Sequence, residues 1–497
     1  MLATSMIAID MGASNGRIIW SQATDDGLCM EEIYRFPNVP VTREGLMCWD
    51  LERLLFAIRT GLKLCCEQNR PVDSIGLCSW GNTVGLLDEK DHLLRPPLHY
   101  REPATEAALP VLHVRLSEED MFWKTLFIPM NIQPAVVLNW LLEKEPQVMR
   151  DTRTVLMISD LFNQQLCGRK VSEITMAATS QLVDMRTVRF DRGYMQQLGL
   201  NPQWLPETVE SATPLAPLRD AWTQEAGLPS APMVVAVSGH DTASAASMVD
   251  LDRPVLYLSC GTWSCMGCRV DEPVADVRIF HSGATNDLGI FGQHHLRFNH
   301  TGLWIIQECK RYWNEQGHAW THQELMNMAC EAPPFMAVID TEHKSFFLRD
   351  DMPWKVQDYC RHTGQTVPRT PGEICRVITE SLALRYRYSA EVLASLSGQR
   401  FERMQILSGG AKNTLLCQLS ADALNMEVIA GPVEASILGN FAQQLIASGL
   451  RPDEARALCL RGRPTVSYFP HEADLWHEQY RKTLKICGWQ PIETPGE

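Results

Sequence analysis

A carboxylate followed by a turn of small residues stands near the start of the chain, at Asp10 and residues 12–15. Small side chains let backbone N–H groups approach an anion closely, and the Ser14 hydroxyl and Asn15 amide can bond phosphate oxygens. Arg17 adds a positive charge. Because Asp10 would repel phosphate, its natural role is through Mg²⁺ and the waters of that cation. A plain hairpin with a polar turn is the alternative, and the segment lacks the P-loop pattern Gly-x-x-x-x-Gly-Lys-Ser/Thr.

A second carboxylate lies at the start of a predicted helix. An apolar strand ends at Gly239, and His240, Asp241 and Thr242 then open a helix of small residues. An aspartate there should stay ionised, because the helix dipole favours its anion. Such a carboxylate can accept a hydroxyl proton during phosphoryl transfer. Aspartate is also a preferred N-cap residue, so a purely structural role is an equal alternative.

Two more glycine turns follow predicted strands. The turn Gly261-Thr262-Trp263 offers contacts to a second phosphate, although taken alone a turn with a buried tryptophan is the better interpretation. At residues 408–413 a double-glycine turn leads into an amphipathic helix. Free N–H groups and the positive end of the helix dipole meet there, which suits the phosphate or ribose of a nucleotide. Double-glycine turns are common between strands and helices, so this signal is weak by itself.

These turns are positioned by an alternation of short β-rich runs and longer helical patterns, which indicates an α/β architecture. Strands are predicted at 6–9, 16–20, 74–78, 234–237, 255–258 and 404–407. Helices are predicted at 50–66, 135–144, 302–316, 372–397 and 414–424. Residues 6–17 and 255–264 both follow the pattern strand, glycine turn, strand, which suggests two related domains facing each other.

The composition is that of an ordinary globular protein. The 497 residues contain 45 Lys and Arg against 59 Asp and Glu, a net charge of −14, with 45% hydrophobic and 21% charged residues. The length suggests two or three domains. The acidic balance argues against a sequence-independent nucleic-acid binder. No apolar run approaches the ~18 residues of a membrane span, and the N-terminus does not resemble a signal peptide. We therefore expect a cytoplasmic protein without nucleic-acid or membrane partners.

Together the motifs are more specific than any one of them. Asp10-Met-Gly12, His240-Asp-Thr242, Gly261-Thr-Trp263 and the Gly-Gly-Ala-Lys-Asn of residues 409–413 stand in an order and spacing that resembles the FGGY family of carbohydrate kinases, from about residue 7 to 449. The resemblance implies two ribonuclease H-like, actin-like ATPase domains around a central cleft. It implies a sugar-binding domain at 1–248, an ATP-binding domain at 249–467, and a C-terminal helix and tail at 468–497.

The resemblance also implies roles for individual residues. Asp241 would be the catalytic base, and Asp10 would lie near Mg²⁺. The residues expected to contact ATP are Ala13, Ser14, Asn15, Gly16, Arg17, Gly261, Thr262, Gln307, Gly409, Gly410 and Asn413. The residues expected to line the sugar site are Gly81, Thr83, His240, Asp241, Thr242 and Asn299.

The implied reaction moves the γ-phosphoryl group of ATP to the C1 hydroxyl of a ketose. Within the family the sequence is most similar to members that act on L-rhamnulose, and residues 174–181 resemble members that act on L-fuculose, so a 6-deoxyketohexose is expected. Both kinds of relative carry an acidic residue where this chain has Thr83. Thr offers one short hydroxyl and no charge, which leaves the identity of the sugar open. Trp80, close by, can stack on a sugar face or belong to the core.

The alternatives are a kinase for another ketose, a pentulose or a polyol, and a non-catalytic nucleotide-dependent sensor on the same fold. A sensor has no need of a base, so Asp241 in its His-Asp-Thr context favours the enzyme. We expect a monomer or homodimer whose partner is a small sugar.

Overall fold

The chain folds around two β-sheets, and the computed structural model describes residues 4–490. The strands are β1 (Ser5–Met11), β2 (Asn15–Thr24), β3 (Gly27–Pro37), β4 (Val41–Arg43), β5 (Leu46–Cys48), β6 (Ser74–Ser79), β7 (Val84–Leu87), β8 (Thr154–Met157), β9 (Ser172–Glu173), β10 (Val183–Asp184), β11 (Arg189–Phe190), β12 (Thr208–Val209), β13 (Thr213–Pro217), β14 (Met233–Ala236), β15 (Leu256–Cys260), β16 (Ser264–Val270), β17 (Thr285–Leu288), β18 (His294–His300), β19 (Arg403–Leu407), β20 (Glu427–Ala430) and β21 (Val466–Tyr468).

Helices separate most of these strands. They are α1 (Leu51–Glu67), α2 (Ala108–His113), α3 (Glu118–Thr125), α4 (Pro134–Lys144), α5 (Pro146–Asp151), α6 (Ile158–Cys167), α7 (Ile174–Ala178), α8 (Arg192–Gln197), α9 (Asp220–Ala226), α10 (Asp241–Ala246), α11 (Val277–Ser282), α12 (Trp304–Glu315), α13 (His322–Glu331), α14 (Met352–His362), α15 (Pro371–Ser397), α16 (Thr414–Leu424), α17 (Ala435–Ala447), α18 (Pro452–Leu460) and α19 (Ala473–Cys487). Short 3₁₀ turns lie at Pro103–Ala107, Pro202–Trp204, Ile290–Gly292, Lys344–Phe346 and Ser408–Lys412.

The two large sheets repeat one topology. The first has the order β13-β14-β6-β1-β2-β3, and the second has the order β17-β18-β16-β15-β19-β20-β21. In each, an antiparallel hairpin (β1–β2 or β15–β16) is followed across the sheet by two parallel strands (β6 and β14, or β19 and β20) and one antiparallel edge strand. This repeat confirms the predicted ribonuclease H-like, actin-like ATPase fold with two lobes around a cleft.

Helices with one apolar face cover the sheets. In α1, Leu54, Ile58 and Leu62 recur every fourth residue and are buried against the first sheet. The long helix α15 begins at a capping box between Thr370 and Glu373 and lies in the core of the second lobe. Such caps satisfy N–H groups at the helix start that otherwise have no partner.

The two lobes are joined where α10 and α17 cross. Gly439 of α17 lies so close to the Ser244 carbonyl of α10 that a Cβ there would overlap its oxygen. Helix α17 also covers the first sheet, with Phe441 packed against Met6 and Ala8 of β1. A helix late in the chain therefore completes the core of the first lobe.

The predicted elements agree closely with those observed. The helix predicted at 414–424 is α16, and those predicted at 372–397 and 302–316 are α15 and α12 with ends shifted by one or two residues. The domain division remains a prediction, and residues 491–497 of the proposed tail lie outside the described residues. Of the helices within residues 4–490, none has the length and apolar character needed to cross a membrane.

Candidate active site

The carboxyl ends of β1, β6 and β14 meet at one edge of the first sheet. Asp10 on β1 stands opposite Cys78 on β6, and Ser79 forms a bridge with His240 just beyond β14. The Ser79 N–H donates to the Gly239 carbonyl at 2.7 Å. Three segments far apart in sequence thus bring together Asp10, the loop after Ser79 and the start of α10, because parallel strands end at a common edge.

Asp241 is the first residue of α10 and points into the cleft. The N-cap position belongs to His240, and the start of α10 has no side-chain cap, so the capping alternative for Asp241 is wrong. Its carboxylate accepts a hydrogen bond from the Thr242 hydroxyl at 3.3 Å and lies 3.8 Å from Nε2 of His240. Burial lowers the pKa of His240 to about 4, so the imidazole is neutral at pH 7.

The expectation that Asp241 stays ionised is wrong, because its surroundings raise its pKa. Burial at the bottom of the cleft, followed by the negative charge of Asp10, raises the pKa of Asp241 to about 7. The side chain still keeps 39% of its surface exposed, so it remains open to the cleft. The helix dipole argument was wrong because desolvation and a like charge outweigh the end of a six-residue helix.

Asp10 is tied to the second half of the chain through Arg17. The guanidinium donates to Asp10 Oδ2 at 2.8 Å and to Glu434 Oε2 at 2.7 Å, and both carboxylates raise the pKa of Arg17. The positive charge predicted to face phosphate is therefore shared between two carboxylates. Arg17 still neutralises the acidic edge, and it links that edge to the residue before α17.

The turn between β1 and β2 is held in one shape by its own backbone. The Gly12 N–H donates to the Asn15 carbonyl at 2.9 Å, and the Asn38 side chain donates to the Gly12 carbonyl at 2.9 Å. Ser14 and Asn15 are exposed and Ala13 is half-buried, as a contact to a ligand requires, whereas Gly16 is buried under the Phe36 ring. Sequence reasoning missed Asn38, because a bracing amide 26 residues away has no local signal.

The loop after β6 is built on aromatic rings. Trp80 is 4% exposed with its ring 4.0 Å from that of Trp49, which supports the core interpretation of Trp80. The Thr83 hydroxyl accepts hydrogen bonds from both indoles, at 3.2 Å from Trp49 and 3.1 Å from Trp80. Thr83 is buried, with 2% of its surface exposed. Because its oxygen accepts both bonds, its hydroxyl hydrogen remains available for donation. Gly81 is also buried, against Thr179.

Asn299 reaches the cleft from the other lobe. It stands near the end of β18 and is exposed, while its neighbour Arg297 is buried and donates a hydrogen bond to Asn299 Oδ1. Arg297 also pairs with the buried carboxylate of Asp287. The charges of Arg297 and Asp287 act on His240, which places these side chains beside the predicted sugar residues. Sequence reasoning missed Arg297 and Asp287, since charged residues within a strand usually face solvent.

The second lobe supplies uncharged turns. Thr262 donates its hydroxyl hydrogen to Gln307 Oε1 at 3.0 Å, so these two predicted ATP contacts lie together. Gly410 packs so tightly on Cys260 that a Cβ would overlap the sulfur, which joins the double-glycine turn to the turn at Gly261. The exposed Gly409 begins that turn beside them.

Asn413 closes the same turn as the N-cap of α16. Its Oδ1 accepts from the Leu416 N–H at 3.0 Å, and its Nδ2 lies 3.3 Å from the Met326 sulfur. Its amide therefore has a structural task in addition to any contact with a nucleotide.

Glu173 is a further residue without a sequence signal. It is fully buried and accepts hydrogen bonds from the Gly239 N–H at 2.9 Å, from the Thr175 hydroxyl and from the Ser211 hydroxyl, both at 2.6 Å. Burial raises its pKa. These bonds hold the backbone immediately before His240, so Glu173 fixes where α10 begins.

Two carboxylates at one edge of a sheet, opposite a lobe with glycine-rich turns, are an arrangement that suits a nucleotide-dependent phosphotransferase. The chain matches the N-terminal domain of the FGGY family of carbohydrate kinases over residues 5–247 and its C-terminal domain over residues 256–448. It therefore belongs to that family and is an ATP-dependent sugar kinase.

Curated relatives cover nearly the whole chain. A rhamnulokinase of Bacteroides thetaiotaomicron is 35% identical over 96% of this chain and 98% of its own length. A rhamnulokinase of Enterococcus faecalis is 34% identical over 94% of each. Among solved structures, a gluconate kinase of Lactobacillus acidophilus superposes with a TM-score of 0.80 at 16% identity, covering 97% of both chains. A xylulose kinase of the same organism gives 0.78 at 16% identity, also covering 97% of both. These structures share the fold.

Proposed function

We propose that the protein transfers the γ-phosphoryl group of ATP to the C1 hydroxyl of a 6-deoxyketohexose, with L-rhamnulose first and L-fuculose second. The observation that carries the proposal is the Asp241 side chain, which is 39% exposed beside the neutral His240 and whose pKa is raised to about 7 by burial and by Asp10. The rhamnulokinase relatives, which align over most of the chain, support the choice of sugar. We assign the sugar to the domain at 1–248 and ATP to the domain at 249–467.

Asp241 acts as the base in this proposal. It accepts the C1 hydroxyl proton as that oxygen attacks the γ-phosphorus, and the bond from phosphorus to the ADP oxygen breaks. His240 is neutral and its Nδ1 is buried without a hydrogen-bond partner, so a sugar hydroxyl is the group that would complete it. Thr242 and Asn299 line the same space.

The acidic edge suits Mg²⁺. Asp10 and Asp241 are near enough for one charge to raise the pKa of the other, and a divalent cation would relieve that repulsion. Within residues 4–490 no cluster of three or more His, Cys, Asp and Glu side chains could cage a metal. Mg²⁺ commonly takes one or two carboxylates and completes its shell with water and substrate phosphates. Bound there, it would neutralise charge on the transferring group.

The second lobe would bind ATP through N–H groups and hydroxyls. Thr262 and Gln307 form one pair of contacts, and Gly409 with Gly410 forms the other. Ser14 and Asn15 would approach the phosphates from the first lobe, where both are exposed. Amides in place of basic side chains fit a site whose positive charge comes mainly from the cation.

Thr83 bears on the sugar. Its oxygen accepts from two indoles, so it fixes the aromatic wall formed by Trp49 and Trp80. We expect Thr83→Ser to keep that wall and the sugar preference, and Thr83→Val to lower kcat/KM for the ketose about 10-fold, because two buried N–H groups lose their acceptor.

The test is ADP release by the purified protein with Mg-ATP over a panel of acceptors. The panel contains L-rhamnulose, L-fuculose, both xyluloses, both ribuloses and glycerol, and ³¹P NMR of the product locates the phosphate. The expected result is the highest kcat/KM for L-rhamnulose and a C1 phosphate. The matched control is Asp241→Asn, which should bind ATP and release sugar-dependent ADP at least about 10²-fold more slowly.

Other outcomes distinguish the alternatives. A higher kcat/KM for a pentulose or for glycerol would replace the 6-deoxyketohexose and keep the chemistry. A phosphate on another carbon would overturn the C1 assignment. Sugar-dependent turnover by Asp241→Asn within 10-fold of that of the unaltered protein would show that Asp241 is not the base.

A further inference from the structure

Arg297 occupies a buried position beside the sugar residues. It stands two residues before Asn299 on β18, so both side chains emerge on the same face of the strand. Arg297 is opposite Gly267 of β16, and a Cβ on that glycine would crowd both the Arg297 Cβ and the Tyr257 hydroxyl. The glycine leaves the room that the arginine stem needs.

The guanidinium is fixed from both sides. Its Nε donates to Asp287 Oδ2, its Nη1 donates to Asn299 Oδ1, and Nη1 also lies 3.6 Å from the Cys265 sulfur. Arg297 and Asp287 are each 5% exposed on their side chains. A planar guanidinium can serve two acceptors in different directions at once, which a lysine ammonium on a flexible stem does poorly.

This pairing decides which end of the Asn299 amide faces the cleft. A guanidinium has donors and no acceptor, so the atom turned toward it must be the carbonyl oxygen. Nδ2 is then the end left for a ligand, and the exposed Asn299 presents it two residues along β18 from Arg297, whose charge acts on both His240 and Asp241. Without Arg297 the amide could rotate by half a turn and present an acceptor instead.

We infer that Arg297, locked by Asp287, is a positioning residue for sugar specificity, which orients Asn299 so that its Nδ2 donates to an oxygen of the sugar. The inference rests on the proposed function, because it takes Asn299 as a sugar contact. It predicts that the site accepts a sugar with an oxygen acceptor at this point and discriminates against an analogue that lacks that oxygen.

The test measures the ketose dissociation constant by calorimetry in the presence of a non-hydrolysable ATP analogue, and the KM values for ketose and ATP by ADP release. Arg297→Lys should weaken ketose binding about 10-fold, the cost of one misaligned hydrogen bond, and change kcat and the KM for ATP less than threefold. Asn299→Ala should weaken ketose binding to a similar degree. In the Asn299→Ala background, Arg297→Lys should have no further effect on the ketose, since its action passes through that amide.

Asn299→Asp separates orientation from folding without touching Arg297. It keeps the acceptor that Arg297 binds and removes the Nδ2 donor, so it should weaken ketose binding as Asn299→Ala does, with no fall in the melting temperature. Arg278→Lys is the control, because Arg278 is a partly exposed residue of α11 paired with Asp276, the N-cap of that helix, and the variant should leave both KM values unchanged.

Two results would overturn the inference. One is independent, multiplying effects of Arg297→Lys and Asn299→Ala on ketose affinity. The other is wild-type ketose affinity in Asn299→Asp, which decides the question even if Arg297→Lys does not fold. Failure of the proposed function looks different, because the unaltered protein would then neither bind nor phosphorylate any ketose of the panel.

Discussion

The two lobes share one topology but differ in the charge of the side chains at corresponding positions. Asp10 stands second from the end of β1 and pairs across its hairpin with Arg17. The corresponding position of β15 is Ser259, which pairs across its hairpin with Cys265. One hairpin therefore delivers a carboxylate held by a guanidinium, and the other delivers uncharged side chains.

The same contrast recurs at two helices that follow strands, α10 after β14 and α17 after β20. The first lobe places Asp241 at the start of α10, and the second places Glu434 just before α17. Glu434 is paired with Arg17 at 2.7 Å, whereas Asp241 lies 3.8 Å from His240, which is neutral and forms no ion pair with it. An acid therefore stands near the start of each helix, as the first residue of α10 and as the N-cap of α17, and of these two only Glu434 is held by a guanidinium. The comparison fits the proposal that proton and cation chemistry belongs to the first lobe, while the second lobe supplies uncharged contacts to ATP.

The largest expected effect breaks this contrast at Asp241. Asp241→Asn should lower kcat by about 10²–10⁴-fold, because it removes the proposed general base, and should leave ATP affinity within threefold. The corresponding change in the second lobe, Glu434→Gln, should lower kcat less than 10-fold, since the Glu434 charge is already neutralised by Arg17. Steady-state kinetics with calorimetry of ATP binding checks both. Comparable losses in the two variants would mean that the lobes do not divide the chemistry as argued.

Asp220→Asn is the structural control for that pair. Asp220 is likewise the first residue of a short helix, α9, and it is exposed on the surface. Its kinetics should equal those of the unaltered protein. A loss of activity in this variant would indicate that helix starts in general, rather than the cleft carboxylate, account for the effect of Asp241→Asn.

The next effect concerns the contact through which the lobes act together. Gly439→Ala would drive a methyl group into the Ser244 carbonyl, which is backbone and cannot move aside easily. We expect a loss of about 1–3 kcal/mol in the free energy of unfolding and a lower kcat, because overpacking displaces α10 and with it Asp241. Urea denaturation and steady-state kinetics measure the two quantities.

A helical glycine with space around it serves as control. Gly193 in α8 has only the Asp191 carboxylate near the position of an added Cβ. Gly193→Ala should be neutral or slightly stabilising, since alanine favours helix over glycine. Equal stability losses in both variants would argue against a special role for the crossing of α10 and α17.

A smaller effect is expected in the nucleotide lobe. Gly410→Ala should overlap the Cys260 side chain, distort the double-glycine turn and raise the KM for ATP about 10-fold, with little change in ketose affinity. Cys260→Gly in the same chain should restore much of the loss, because it removes both atoms that clash. Thermal unfolding of Gly409→Ala, whose added Cβ would meet only a carbonyl oxygen at 4.0 Å, should match that of the unaltered protein. A rise in ketose KM with constant ATP KM would contradict the division between lobes.

Much of this fold is visible in the sequence for a physical reason. Strand ends and glycine turns are local, so the hairpin at Asp10 and the start of α10 at Asp241 could be predicted from their own neighbours. The repeat of the hairpin at residues 255–264 gave a correct signal for a second lobe. Residues that act over long separations could not be found in this way. Glu173 holds Gly239 across 66 residues, and Arg17 meets Glu434 across 417.

The ionisation of Asp241 shows the same limit in a single group. The position of Asp241 at a helix start is a local property that predicts a low pKa. Burial and the charge of Asp10, which raise the pKa, exist only in the assembled cleft. Local reasoning therefore singled out the proposed base and missed its charge state. The proximity of Asp10 is the part of the site that only tertiary structure supplies.

The last prediction concerns stability rather than activity and tests that proximity directly, in protein freed of Mg²⁺ with a chelator. An aspartate with a pKa of about 7 in the folded state and about 3.9 unfolded keeps a proton on folding that the unfolded chain has lost. Folded-state stability contributed by this group is therefore fully present below pH 4 and declines as pH rises toward 7. The melting temperature of the unaltered protein should fall relative to that of Asp241→Asn as the pH rises from 4 to 7. Above pH 7 the two melting temperatures should change in parallel. Asp10→Asn should shrink the difference, because one cause of the raised pKa is gone. Adding Mg²⁺ should reverse the trend, since the cation favours the ionised carboxylate. A difference in melting temperature between the two proteins that stays flat from pH 4 to 7 would show that Asp10 and burial do not act on Asp241 as the cleft geometry requires.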